Sequence, residues 1–181
     1  MKTSRIITSL TAILFAFPLV SVSLGSPMIW NGPAISFSKA AFAPETLALN
    51  QDHITDNVWL TRSTVQGIFN IRTESSYTHV LSPSDTEWAY GTTASYASLT
   101  YRDWETWTGG FPSVPNIVGR DAVVHLITDD VYLDLKFTSW GVGSAGGGGF
   151  SYVRSTAPVP EPGSLALLGA GAFLLSSRRR R

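Results

Sequence analysis

Cysteine is absent from all 181 residues, so the chain has no disulfide, no thiolate nucleophile and no Cys-ligated zinc, and packing alone must hold the fold. Histidine is nearly as scarce. His53, His79 and His125 stand apart, without the His-x-x-x-His spacing of a helical metal site, and His125, inside an expected strand, reads as a packed residue rather than a ligand. Charged residues make up only 14% of the chain, and six of its thirteen positive charges sit at the two ends, as Lys2, Arg5 and Arg178 to Arg181. Between those ends seven bases face twelve acids, a formal charge of −5. A region this acidic lacks the basic face of a nucleic-acid binder, so no such partner is expected. Catalytic signatures are missing too. No Gly-x-Ser-x-Gly elbow occurs, and Asp85-Thr86-Glu87 lacks the glycine and the second copy of an aspartic protease. Gly141-Val142-Gly143-Ser144-Ala145-Gly146 has the letters of a dinucleotide fingerprint. It runs on into more glycine and a strand instead of a helix, so it is expected to be a flexible loop. No catalytic residue is assigned, and no enzymatic role is expected.

The ends carry what the middle lacks. Lys2 and Arg5 precede an apolar stretch from Ile6 to Val22, followed by small residues at Ser21, Ser23 and Gly25. This is the pattern of a secretory signal peptide over residues 1–25, cut after Gly25 or alternatively after Ser23; an uncleaved anchor is the other reading. At the far end Pro160-Glu161-Pro162 is followed by Gly163 to Ser177, fifteen residues without a charge, and then by Arg178, Arg179, Arg180 and Arg181. The prolines prevent a helix from starting upstream of Pro162. Fifteen residues at 1.5 Å rise span about 22 Å against a hydrocarbon core of about 30 Å, so the segment is a marginal membrane anchor. The arginines resist translocation and hold it cytoplasmic side in. In order and spacing, residues 158–181 resemble the PEP-CTERM sorting signal of Gram-negative bacteria. The resemblance implies export across the inner membrane, transient anchoring by the short hydrophobic helix, and removal of the tail by an exosortase, a membrane-embedded cysteine peptidase, with release to the cell surface or beyond. A permanent tail anchor is the alternative.

Residues 26–157 are left as one domain, long enough for a single core. Its dominant period is two. Val131, Leu133, Leu135 and Phe137 alternate with Tyr132, Asp134, Lys136 and Thr138, the mark of a half-buried strand. Further strands are expected at Ile35–Ser38, Asn57–Arg62, Gly67–Thr73, Glu87–Thr92, Ala97–Tyr101, Ala122–Thr128 and Phe150–Thr156, with Asp129-Asp130 as a hairpin turn. Lys39–Asn50, rich in Ala and Leu but broken by Pro44, is expected to give no more than a short helical turn. Many short strands punctuated by Gly, Pro, Ser and Asn predict an all-β, antiparallel β-sandwich of jelly-roll-like type.

Two constellations invite chemistry. Ile54-Thr55-Asp56-Asn57-Val58-Trp59-Leu60 repeats as Ile127-Thr128-Asp129-Asp130-Val131-Tyr132-Leu133. Both copies can be strand-entry turns; alternatively Asp56, Asn57, Asp129 and Asp130 pair across the fold as oxygen ligands for Ca²⁺. The second constellation is Glu87-Trp88-Ala89-Tyr90 with Tyr101-Arg102-Asp103-Trp104-Glu105-Thr106-Trp107. Rings that stack on sugars beside carboxylates that accept from hydroxyls suit carbohydrate, with Trp88, Tyr101, Asp103, Trp104, Glu105 and Trp107 as the binding residues. The competing readings are that the tryptophans are core, or that Glu87 with Asp103 or Glu105 forms a glycosidase pair. The stretches Ile35–Lys39, Ile54–Arg62 and Ser82–Ala89 resemble uncharacterised exported bacterial proteins and imply no activity. The expected role is thus an exported, exosortase-processed surface or matrix protein, associated with exopolysaccharide, with a small carbohydrate-active enzyme or a calcium-dependent module as alternatives.

Overall fold

Alternation is borne out most fully over residues 131–140, where Val131, Leu133, Leu135 and Phe137 are buried and the residues between them are not. The structure, a computed structural model, describes residues 26–159. The expected signal peptide, 1–25, and Pro160, Glu161, Pro162, the apolar run after them and Arg178 to Arg181 lie outside the described residues.

Among the described residues the chain forms nine strands: β1 (Met28–Trp30), β2 (Gly32–Lys39), β3 (Asp52–His53), β4 (Trp59–Arg62), β5 (Ile68–Asn70), β6 (Thr86–Tyr90), β7 (Asp121–Leu126), β8 (Val131–Trp140) and β9 (Phe150–Thr156). One short helix, α1, spans Trp104–Thr108. The larger sheet has the order β2-β9-β8-β7-β6, antiparallel throughout, with β1 added in parallel to β8. The smaller sheet is β3-β4-β5. Together they make the predicted all-β, sandwich-like architecture. Between them lies an aromatic core of Trp88, Trp104, Trp107, Phe137, Phe150 and Tyr152 with Leu60, Ile68 and Leu133. Each such ring removes roughly 150–250 Å² from water, which is how a chain without disulfides holds together.

A buried ion pair joins the sheets. Arg154 on β9 donates from Nε and Nη2 to the two carboxylate oxygens of Asp52 on β3, at 2.7 and 2.8 Å, and the Tyr152 hydroxyl donates to the same carboxylate at 2.7 Å.

Three expectations need correction. Ala97–Tyr101 is not a strand: residues Thr93–Ser98 form 3₁₀ turns. The reason is local. Thr93 gives both its backbone N–H and its hydroxyl to Asp134, at 2.7 and 2.8 Å, and Ser95 and Ser98 donate to carbonyls three residues back, so side chains satisfy what a ladder would have. The strand expected to reach Thr73 stops at Asn70, whose carbonyl accepts from Thr73 and Glu74 in a turn. The glycine run 141–149 is pinned rather than free: Gly141 N–H donates to Gly149 O at 2.7 Å, and Arg62 donates to both carbonyls. Lys39–Asn50 carries only the 3₁₀ turn Ala48–Asn50, as Pro44 led one to expect.

Register gives the molecule two poles. Trp140 of β8 lies beside Phe150 of β9, next to the glycine run. The opposite pole holds the turn 127–130, the start of β1, where Met28 N–H donates to Asp130 O, and the end of β9, where Thr156 lies beside Gly32.

Candidate functional site

A cleft of about 430 Å³ opens at the Trp140 pole. Its walls come from five places in the chain: Arg62 and Val65 at the end of β4, Tyr77 and His79 after β5, Trp104 and Glu105 on α1, Phe111 to Pro115 after it, and Trp140 with Val142 beyond β8. The lining is mostly apolar, and Phe111 stands at 92% exposure on it.

Local sequence explains the placement of α1. The Asp103 carboxylate accepts from Thr106 N–H at 2.9 Å as N-cap, and Gly109, with φ of 80°, ends the helix in the left-handed conformation that favours glycine. This one turn and a half buries Trp104 and Trp107 while turning Glu105 into the cleft. Gly67 lets the walls close, since a side chain there would collide with the Tyr77 ring.

Glu105 is the cleft's polar centre. It faces His79 Nδ1 at 2.9 Å, and accepts from Val80 N–H at 2.9 Å and from the Tyr77 hydroxyl at 3.3 Å. The His79 hydrogen bond above all holds its carboxyl below the usual carboxylate range, with the Val80 N–H adding to the effect. Tyr77 moves the other way: burial first, then Glu105, pushes its hydroxyl up. On the opposite wall Arg62 packs its guanidinium over the Trp140 ring, 3.7 Å from the centroid. It donates to the carbonyls of Gln66, Gly141 and Gly149 and has no carboxylate partner among the described residues. Burial brings its pKa down to about 10.

The sequence-derived sugar residues divide. Trp88, Trp104 and Trp107 are buried at 0, 1 and 6% exposure and pack on one another with ring centroids 4.9 to 5.4 Å apart. They belong to the core, and only Trp104 touches the cleft. Asp103 is occupied in capping α1. Tyr101 lies away from the cleft, donating to Tyr96 O at 3.1 Å and meeting Tyr132 and His125 edge-on. Glu105 alone has its carboxylate at the cleft. Glu87 sits on the other face of the sheet, 2.7 Å from His125 Nδ1, while His125 stacks on Tyr132.

The repeated segments do meet across the fold. Asn57 Nδ2 donates to Asp129 Oδ1 at 2.8 Å and the Thr55 hydroxyl to Oδ2 at 2.6 Å. Both carboxylate oxygens of Asp129 thus accept hydrogen bonds within the protein. Asp130 turns to His125 Nε2 at 3.3 Å, and Asp56 is exposed. No group of three or more metal-ligating side chains comes together among the described residues.

Sequence reasoning missed Arg62, Tyr77, His79, Phe111 and Trp140. They carry no common period and are gathered from separate loops. One signal was available: Gly109-Gly110-Phe111-Pro112 puts a ring inside a turn, where nothing obliges it to be buried.

Among the described residues no helix is long and apolar enough to cross a membrane. No curated protein and no solved structure matches the chain. The C-terminal segment does find a family: residues 158–181 match the model of the PEP-CTERM protein-sorting motif, so the chain carries the exosortase-substrate signal that its Pro-Glu-Pro, apolar run and terminal arginines resemble.

Proposed function

We propose that the exported domain is a non-enzymatic, exopolysaccharide-associated protein of the cell surface or extracellular matrix, and that the Trp140-pole cleft is where it holds the polymer. The observation that carries this reading is the cleft's composition: the rings of Phe111 and Trp140 as stacking surfaces and one fixed acceptor in Glu105, with Arg62, at 3% exposure, bonded to three carbonyls and backing the Trp140 ring. Aromatic faces match the apolar faces of sugars, and a carboxylate accepts from their hydroxyls. Glycoside hydrolysis needs two carboxyl groups about the bond. Glu105 is the cleft's one acid among the described residues, which supports binding over catalysis.

The test is affinity electrophoresis of the domain in gels containing the source cell's own exopolysaccharide. Retardation is expected, weakened roughly fivefold to tenfold by Phe111→Ala, since an exposed ring contact contributes about 1 kcal/mol. Absence of retardation with every acidic and neutral fraction would sink the reading. Release of sugar that Glu105→Gln abolishes would replace it with an enzymatic one.

A further inference from the structure

Strand β8 runs the length of the domain, about 33 Å for ten residues. Its far end carries the cleft residues Trp140 and Val142, and its near end adjoins the turn 127–130. Strand β9 runs back antiparallel and delivers the chain to that near pole, where the Thr156 hydroxyl donates to Pro33 O at 2.8 Å. Only Ala157 to Pro162 then separate the folded strand from the apolar run of the sorting signal; six residues reach at most about 20 Å. The N-terminal side leaves from the same pole, because Met28 is bonded to Asp130. Met28, Ile127 and Val159 are exposed apolar residues there, at 53, 49 and 67%.

We infer that, until the tail is cut, the domain stands on the phospholipid bilayer on its turn 127–130 pole and presents the cleft outward, away from the membrane. The tether is shorter than the domain, so the membrane-proximal pole is chosen by the strand direction of β9. Charge narrows the lipid. Asp56, Asp85, Asp129 and Asp130 lie at this pole, Asp85 accepting from Thr128, Asp129 from Thr55 and Asn57, and Asp130 facing His125, with Arg72 as the cation beside Asp85. That balance suits zwitterionic headgroups and not an anionic patch. The position of the cleft is geometric and stands whatever the cleft binds.

The experiment uses the full chain with its tail uncut, purified from cells lacking the peptidase and placed in bilayer discs of zwitterionic phospholipid with an acceptor dye on a fraction of the headgroups. Because the chain has no cysteine, Ile127→Cys and Val142→Cys each accept a single donor dye at an exposed position, one at each pole. Energy transfer to the lipid is expected to be at least about twofold stronger from the Ile127→Cys label, reflecting a height difference of up to about 30 Å. Inserting about twenty Gly/Ser residues after Pro158 should erase the difference, since such a linker behaves as a flexible coil. Equal transfer from both labels without that insertion, stronger transfer from the Val142→Cys label, or failure of the chain to float with lipid would each overturn the inference.

Discussion

Single residues set both the strength and the acid sensitivity of this protein. Asp52 is the clearest case: its carboxylate satisfies Arg154 and Tyr152 at once, inside the seam between the sheets. Asp52→Ala leaves an arginine at 5% exposure without its counter-charge, and breaking such a pair costs about 3–5 kcal/mol. The urea midpoint should fall accordingly, and a change below about 1 kcal/mol would mean that water replaces the carboxylate. Glu105 governs the acid limb at the cleft. Its folded-state pKa lies below the unfolded one, so its contribution is complete above the ordinary carboxylate range and is lost as the pH falls through the depressed folded value. Urea midpoints of the wild type and Glu105→Gln should differ at neutral pH and converge below about pH 4; a gap that stays constant down to pH 3 would remove the carboxylate from the explanation.

At the scale of elements, the repeat of 54–60 in 127–133 shows how one sequence pattern serves two ends of a contact. Each copy ends a turn and begins a strand, β4 or β8, and the Asp129 carboxylate ties the copies together through Thr55 and Asn57. With both oxygens so engaged, millimolar calcium should leave the thermal midpoint unchanged, whereas Asp129→Ala should lower stability by about 1–3 kcal/mol by stripping partners from part-buried donors. A calcium-induced rise of several degrees would instead support a metal site at Asp129. The same scale shows what was legible. Strands with strict alternation, β8 and β9 above all, can be read from residues alone because the period of two states which face is buried. The 3₁₀ turns at 93–98 and helix α1 could not be, because side-chain bonds from Thr93 and Asp103 decide them and a periodicity argument is blind to those. For the candidate site, Glu105 and Trp104 were reachable as part of an aromatic and acidic run. Arg62, His79 and Trp140 join them only through the pairing of distant strands.

Over the whole molecule, the chain's two hydrophobic ends frame one exported domain. Intact mass from cells with an exosortase should give a product beginning near Ser26 and ending near Pro160, and deletion of the peptidase should leave the tail in place and the protein in the membrane fraction. An unchanged mass in the two strains would make the tail a permanent anchor. The manner in which that tail joins the fold matters for what it can bear. Strand β9 is not an edge: it is hydrogen-bonded to β2 on one side and β8 on the other, with its bonds perpendicular to the strand. A pull on the tail therefore runs along β9 and loads both ladders in shear, many bonds together, instead of peeling them one at a time. A load on the distal pole would reach the tail along this strand and not across it, so the fold would hold until the ladders to β2 and β8 sheared together.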